Sequence, residues 1–254
     1  MQLEGQCTIV TGAASGLGRA TARELRATGA NVVVVDIDRD GLASAARELG
    51  EGAAAAIADV RKPEEIERAL DLAIQTYGDL RVVVNCAGVP SSAKLVSRHA
   101  PHDLEVWSRV IEINLTGTFD VMRLAATRMA ANAPDAQTGE RGVIINTASI
   151  AAFDGQKGQA AYAASKAGVA GMTLPVARDL AEHAIRCVAI APGLFETEIF
   201  EKIPTKGVDA LKRALLYPNR MGRPDEFAAF VRHIVENPYL NGSCLRLDGA
   251  ARLP

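Results

Sequence analysis

The sequence predicts an α/β protein with a doubly wound parallel sheet of seven strands. Short apolar segments alternate with amphipathic segments of helical period along the chain, the pattern of a sheet covered by helices. Most apolar segments are continuous rather than alternating, which is typical of parallel strands buried on both faces. No linker-like run of Pro, Gly or Ser divides the 254 residues, so we expect a single domain over residues 1–254.

The elements follow in chain order from these patterns. Strands are predicted at 7–11, 31–35, 53–58, 82–85, from 143 onwards, at 186–191 and at 243–247. Helices are predicted at about 19–28, 40–49, 63–78, 104–131, 160–180 and 224–236. The polar segment 89–101 has no periodicity, and we expect it to be irregular.

Composition excludes several classes of protein. A formal net charge of −2 and a pI near 6.1 give no basic surface for nucleic acid. No apolar run reaches the roughly 18 residues that span a bilayer, and residues 1–6 have no basic targeting region. We therefore expect a cytoplasmic protein, or one of the mitochondrial matrix in a eukaryote. The four cysteines and four histidines lack metal-ligand spacing, so we expect reduced thiols and no metal.

The first predicted strand runs into a glycine-rich turn that opens a helix. Gly12, Gly16 and Gly18 follow the order of strand, turn and helix that a dinucleotide-binding loop requires. Glycine lets the backbone approach a pyrophosphate, and a helix N-terminus offers free N–H groups. This Rossmann-type pattern predicts a dinucleotide cofactor, with Ser15 and Leu17 as further contacts.

Asp36 ends the second predicted strand, close to the spacing at which an acidic residue meets the adenosine ribose. Its carboxylate can accept both ribose hydroxyls and would repel a 2′-phosphate, and Ser15 offers that phosphate no positive charge. NAD is therefore favoured over NADP, although the nearby Arg39 leaves NADP open. Further cofactor contacts are expected at the ends of the third and fourth strands, from Asp59, Val60, Asn85, Ala87 and Gly88.

Ser149, Tyr162 and Lys166 are the candidate catalytic residues. Tyr162 and Lys166 are four residues apart, so a helix places them on one face. An ammonium about 5 Å from a phenol contributes roughly 3 kcal/mol in favour of phenolate at an effective dielectric of 20. We therefore expect Lys166 to lower the pKa of Tyr162 into the range of a general acid/base, with Ser149 bonding the same substrate oxygen. The alternative is a half-buried tyrosine beside a surface lysine.

Two other segments complete the predicted site. Asn114 lies inside an apolar helix stretch, where an amide either caps a neighbouring chain or distorts the helix to hold a water; we favour a functional role. After the sixth strand, residues 194–218 mix apolar and cationic side chains, and we expect a mobile flap over the substrate. A surface helix pair with solvated lysines is the alternative.

Together these motifs resemble the short-chain dehydrogenase/reductase family over essentially the whole chain. They are Thr11-Gly12-x-x-x-Gly16-x-Gly18, Asp59-Val60, Asn85-Cys86-Ala87-Gly88, Asn114, Ser149, Tyr162-x-x-x-Lys166 and Pro192-Gly193-x-x-x-Thr197. The resemblance implies that Tyr162 is the acid/base, that Ser149 bonds the substrate oxygen and that Lys166 binds the nicotinamide ribose. It also implies a water-mediated proton path supported by Asn114, and cofactor contacts from Pro192, Gly193 and Thr197.

Within that family, segments 141–149, 155–162, 191–195 and 236–242 are similar to the type 2 3-hydroxyacyl-CoA dehydrogenases, also called type 10 17β-hydroxysteroid dehydrogenases. This similarity implies NAD, a homotetramer and a short-chain L-3-hydroxyacyl-CoA as the small-molecule substrate. Gln156, Leu194 and Phe195 are the candidate substrate contacts. Two alternatives stay open: a steroid or small-alcohol dehydrogenase with the same catalytic groups, and a non-catalytic NAD-binding partner subunit.

Overall fold

The computed structural model describes residues 1–198 and 215–253, and a seven-stranded parallel sheet lies at its centre. Its strands are Cys7–Thr11 (β1), Asn31–Asp36 (β2), Ala53–Ile57 (β3), Leu80–Asn85 (β4), Gly142–Thr147 (β7), Ile185–Pro192 (β8) and Cys244–Leu247 (β9). Their order in the sheet is β3-β2-β1-β4-β7-β8-β9. The predicted doubly wound sheet is confirmed. Two short strands, Val96–Ser97 (β5) and Ala100–Pro101 (β6), pair as a hairpin within the segment expected to be irregular.

Seven α-helices within the described residues connect these strands. They are Gly16–Ala27 (α1), Arg39–Leu49 (α2), Pro63–Tyr77 (α3), Leu104–Ile111 (α4), Thr118–Ala130 (α5), Ala160–Ala181 (α6) and Pro224–Glu236 (α7). The single helix predicted at 104–131 is thus wrong, because a π-helical turn at Glu112–Gly117 separates α4 from α5. In the described parts of the chain, no helix has the length and apolar character to cross a membrane.

The continuous apolar strands build two core layers, one on each face of the sheet. Neighbouring residues of a strand point to opposite faces. Val10 and Ile145 accordingly pack in the layer beneath α1 and α7, whereas Ile9 and Ile144 pack in the layer beneath α3 and α5. All four side chains are buried, and burying one such side chain contributes about 1.5–3 kcal/mol to stability.

The order in which successive strands join the sheet reverses at β1, and this reversal creates the crevice that holds the site. β2 and β3 lie on one side of β1, while β4, β7, β8 and β9 lie on the other. The connections after β1 and β4 therefore diverge above neighbouring strand ends. In open α/β sheets such a switch point leaves a crevice at the carboxyl ends of the strands, where ligands bind.

Away from this crevice, Arg186 joins α7 to the sheet through hydrogen bonds. Its side chain is buried in β8, and its Nε donates to the Glu140 carboxylate. One terminal nitrogen donates to the carbonyl of Ile234 at 2.8 Å and the other donates to the carbonyl of Val235 at 2.9 Å. The last carbonyls of a helix have no partner within it, so Arg186 satisfies groups that α7 leaves open.

We predict that Arg186→Met lowers the free energy of unfolding by about 3 kcal/mol or more, because it removes the buried cation of a hydrogen-bonded pair. Urea titration followed by circular dichroism measures this loss. Arg123→Met is the matched control, because Arg123 pairs with Asp120 on the surface and its side chain is 46% exposed. The control should lose less than about 1 kcal/mol. Equal losses in the two variants would contradict the structural role of Arg186.

Candidate active site

A cleft of about 520 Å³ lies at the carboxyl ends of the strands and brings most of the predicted site residues together. Those that line it are Gly12, Ser15, Gly16, Leu17, Gly18, Asp36, Asp59, Val60, Ala87, Gly88, Ser149, Gln156, Tyr162, Lys166, Pro192, Gly193, Leu194, Phe195 and Thr197. Asn85 and Asn114 lie behind the wall of the cleft instead.

The glycine turn between β1 and α1 is built by close backbone approaches. Gly12 has a φ of +67°, and a Cβ atom there would lie 2.6 Å from the backbone nitrogen of Ala87. A Cβ at Gly18 would lie 2.1 Å from the carbonyl oxygen of Gly12. Ser15 precedes the first turn of α1, and its side chain makes no capping hydrogen bond. The first-turn N–H groups therefore remain available at the cleft, and they fit the pyrophosphate of a dinucleotide.

Asp36 presents a carboxylate held in one orientation by backbone donors. One of its oxygens accepts from the N–H of Ala14 at 3.1 Å, and the other accepts from the N–H of Ile37 at 2.7 Å. Asp59, which also lines the cleft, is engaged differently, because Arg61 Nε donates to it at 3.0 Å and lowers the pKa of its carboxyl. Of the two carboxylates, only Asp36 faces the cleft without a cationic partner among the described residues.

Ser149, Tyr162 and Lys166 converge from β7 and α6. Ser149 follows β7, and its Oγ accepts from the N–H of Ala151 at 3.1 Å. Tyr162 and Lys166 lie in the first two turns of α6, with Lys166 Nζ 5.9 Å from the centre of the Tyr162 ring. That nitrogen also donates to the carbonyl of Thr147 at 2.6 Å. A phenol, a hydroxyl and an ammonium thus share one end of the cleft.

The electrostatics of this group differ from the sequence-based expectation. Burial raises the pKa of Tyr162, and the neighbouring Ser149 hydroxyl opposes that change only in part. Burial also lowers the pKa of Lys166 to about 8. The expected lowering of the Tyr162 pKa by Lys166 is therefore wrong for these residues by themselves. Desolvation disfavours both charged forms, and the ammonium is hydrogen-bonded to Thr147.

Asn114 explains why the helix predicted at 104–131 is interrupted. Its buried amide oxygen accepts from the N–H of Val89 at 2.8 Å, while its amide nitrogen donates to the Val89 carbonyl at 3.0 Å and to Ser165 Oγ at 3.1 Å. The amide thus caps the turn after β4, which is the first of the two expected alternatives. The helix around Asn114 is distorted as well, and the partners of the amide are protein groups. A Cβ at Gly88 would lie 3.2 Å from this amide oxygen and 3.6 Å from Lys166 Nζ.

Asn85 lies beneath the cleft and does not line it, so its contact with the cofactor stays a prediction. Its side chain lies between those of the two neighbouring strands. The amide nitrogen donates to Asn146 Oδ1 at 2.9 Å, and the amide oxygen accepts from Thr11 Oγ1 at 3.4 Å. Thr11 in turn accepts from the N–H of Ala87 at 3.3 Å. Sequence reasoning missed Asn146, although a single amide at the end of an apolar strand was the available signal.

The predicted substrate contacts have different structural roles. Gln156 lines the cleft, and its N–H donates to Gln159 Oε1 at 3.0 Å. Leu194 lines the cleft and also packs in a small apolar cluster with Ile150 and Ala251. Phe195 belongs to the core as well, because its ring packs edge-on against Phe227 with centres 6.1 Å apart. Most of the predicted flap at 194–218 lies outside the described residues, which resume at Leu215.

Comparison with known proteins agrees with this geometry. The family model described as short chain dehydrogenase matches residues 6–207. The chain is 48% identical to the human 3-hydroxyacyl-CoA dehydrogenase type-2 over 99% of its own length and 97% of that protein. It is 47% identical to the protein of the same name from Drosophila melanogaster, with 99% of each chain covered.

A solved structure gives the same result. The crystal structure of 3-hydroxyacyl-CoA dehydrogenase type-2 from Mycobacterium avium superposes with a TM-score of 0.95 at 40% identity, covering 100% of this chain and 98% of that one. The family resemblance inferred from the sequence motifs is therefore confirmed. On its fold, its cleft and its full-length relatives, the chain belongs to the short-chain dehydrogenase family of oxidoreductases.

Proposed function

We propose that this protein is an NAD-dependent dehydrogenase that interconverts L-3-hydroxyacyl-CoA and 3-ketoacyl-CoA. The observation that carries the proposal is the convergence of Ser149, Tyr162 and Lys166 in one cleft with the glycine turn of α1. Full-length similarity to proteins named 3-hydroxyacyl-CoA dehydrogenase type-2 supports the substrate class.

Ser149, Tyr162 and Lys166 each have a separate role in the proposed reaction. Ser149 Oγ accepts a hydrogen bond from the N–H of Ala151, and its own O–H can donate to the substrate oxygen. In the oxidation direction Tyr162 takes the proton from the substrate hydroxyl, and in the reduction direction it returns that proton. The Lys166 ammonium has three N–H donors. One of them donates to the carbonyl of Thr147, which leaves two for the ribose hydroxyls of the cofactor. Bound NAD supplies the hydride acceptor.

The assignment of NAD rests on Asp36. Its carboxylate lies at the adenosine end of the cleft, fixed by backbone N–H groups and without a cationic partner in the described residues. A fixed carboxylate accepts hydrogen bonds from the two ribose hydroxyls and repels a 2′-phosphate. Arg39, which left NADP open at the level of sequence, forms no ion pair with Asp36 in the described parts of the chain. These contacts favour NAD over NADP.

A homotetramer is part of the same proposal. Large apolar side chains are exposed on α4 and α5, among them Leu104, Trp107 and Phe119. Tyr217 and Tyr239, elsewhere in the chain, are exposed as well. Large exposed apolar side chains on several elements support an assembly that covers them. The cytoplasm, or the mitochondrial matrix in a eukaryote, stays the predicted location.

We expect light scattering of the purified protein to give about four times the chain mass of 26.8 kDa. Phe119→Asp places a charge on the apolar surface of α5 and should lower the measured mass. Asp120→Asn, its neighbour on the same helix, is the control and should leave the mass unchanged. A monomer at all protein concentrations would contradict the assembly.

The decisive test of the chemistry is NADH oxidation by the purified protein with acetoacetyl-CoA as the ketone. We expect turnover, and we expect Tyr162→Phe to lower kcat by about 100-fold or more, because it removes the proton donor. Tyr77→Phe is the control, since Tyr77 ends α3 away from the cleft.

The outcomes of this assay separate the three hypotheses. Protein that binds NADH but leaves acetoacetyl-CoA unreduced would remove the acyl-CoA substrate and favour steroids or small alcohols. Full biological activity of Tyr162→Phe would favour a non-catalytic partner subunit.

Cofactor choice is tested by Asp36→Ser. We expect the KM for NADH to rise about tenfold or more, because a charge-assisted hydrogen bond is lost, and we expect the preference for NADH over NADPH to fall. Asp38→Ser is the control, because Asp38 caps α2 two residues away and does not line the cleft. Steady-state kinetics with both cofactors measures the two effects. An unchanged preference in Asp36→Ser would contradict the assignment of NAD through this residue.

A further inference from the structure

Arg246 joins two distant segments on the substrate side of the cleft. It lies in β9, and its Nη2 donates to Asp154 Oδ2 at 2.6 Å and to the carbonyl of Ala251 at 3.1 Å. Its Nε donates to Asp248 Oδ2 at 2.6 Å. One guanidinium therefore connects the loop at 150–159, here called the Ser149 loop, with the segment 248–253, here called the C-terminal segment.

The Ser149 loop carries groups that face the substrate. The N–H of Asp154 donates to the carbonyl of Ile150 at 2.8 Å, so Asp154 closes the turn that begins directly after Ser149. Gln156, two residues beyond Asp154, lines the cleft. An anchor on Asp154 consequently fixes the path of the chain between Ser149 and Gln156.

The C-terminal segment supplies another part of the same wall. Ala251 is fully buried and packs in the apolar cluster that contains Ile150 and Leu194. Leu253, two residues further on, lines the cleft. The bond from Arg246 to the Ala251 carbonyl therefore holds this segment against the Ser149 loop.

The chemistry of the contact requires a guanidinium. The side chains of Arg246 and Asp154 are 24% and 21% exposed, and that of Asp248 is 9% exposed, so water solvates the three charges only in part. A planar guanidinium can donate hydrogen bonds to two carboxylates and a carbonyl at once, whereas the ammonium of a lysine presents a single point charge. The guanidinium carbon also lies 5.4 Å from the centre of the Phe153 ring, which adds a cation–π contact to the same loop.

The cofactor side of the cleft is attached to β9 by other means. The N–H of Gly193 donates to the carbonyl of Leu247 at 2.9 Å. A Cβ at Gly193 would lie 2.8 Å from the Cα of Asp248, so the two backbones are in close contact there. The turn at Pro192 and Gly193 therefore keeps its place without the Arg246 side chain.

We propose that Arg246 is a positioning residue that sets the affinity for the substrate and leaves cofactor binding unchanged. It acts through Asp154, the contact that Arg252 lacks, on Gln156 and the turn after Ser149. The choice of an acyl-CoA as the substrate rests on the proposed function.

The test uses Arg246→Met, Arg246→Lys and Asp154→Asn in the full chain. We expect each variant to raise the KM for acetoacetyl-CoA about tenfold, the factor expected when a charge-assisted hydrogen bond is lost. The Kd for NADH, followed by fluorescence, should change less than about twofold, because the backbone hydrogen bond between Gly193 and Leu247 remains in each variant. Arg246→Met combined with Asp154→Asn should cost no more than Arg246→Met alone, because both changes break one contact.

Arg252→Met is the matched control. Arg252 donates to the same Asp248 oxygen at 3.2 Å and to the same Ala251 carbonyl at 2.7 Å, has a side chain that is 60% exposed, and does not contact Asp154. We expect its KM to match that of the unchanged protein. An equal rise in KM for Arg252→Met, or a parallel loss of NADH affinity in Arg246→Met, would overturn the proposal.

Hydrogen exchange keeps this test separate from the identity of the substrate. In Arg246→Met without ligand, amides at 150–159 and 248–253 should exchange faster than in the unchanged protein, while those of α1 should not. If the unchanged protein does not reduce acetoacetyl-CoA, the proposed substrate fails, and the exchange experiment still decides the role of Arg246. Unchanged exchange in both segments would overturn that role.

Discussion

The amide of Asn114 holds the active site together. It binds both backbone groups of Val89 in the turn after β4 and the hydroxyl of Ser165 on α6. Because Lys166 follows Ser165, this one side chain fixes the catalytic helix relative to the strand end beside the cofactor cleft. Asn114 lies within the π-helical turn at Glu112–Gly117, a helix irregularity that is frequent at functional sites. The amide that joins α6 to the turn after β4 therefore lies at a local departure from α-helical structure.

Burial then determines which protonation states the free cleft favours. A raised pKa keeps Tyr162 protonated at neutral pH, and the protonated phenol is the form that reduction of a ketone needs. Oxidation of an alcohol needs the phenolate instead, and a nearby positive charge favours that form. In the free cleft the Lys166 ammonium, whose own pKa burial lowers to about 8, does not offset the effect of burial on Tyr162. The direction of the reaction is therefore linked to the charge that accumulates around one phenol.

What could be predicted from the sequence was local. The glycine turn and the pair Tyr162 and Lys166 depend on spacing within one element, so the sequence placed them correctly. The position of the Asn85 side chain beneath the cleft could not be predicted, because it depends on Asn146, sixty-one residues away. The helix break at Asn114 depends on a turn twenty-five residues earlier in the chain. Long-range partners of this kind leave no periodic signal.

The same distinction separates the two sides of the cleft. The cofactor side is formed by strand ends and the turns that follow them, which are tied to the sheet by backbone hydrogen bonds and close glycine contacts. The substrate side is formed by the Ser149 loop and the C-terminal segment, which meet through the side chain of Arg246. Away from those glycines, backbone hydrogen bonds tolerate a change of side chain, whereas the contact made by Arg246 is lost by a change at one position. The proposed effect of Arg246 on substrate affinity follows from this difference.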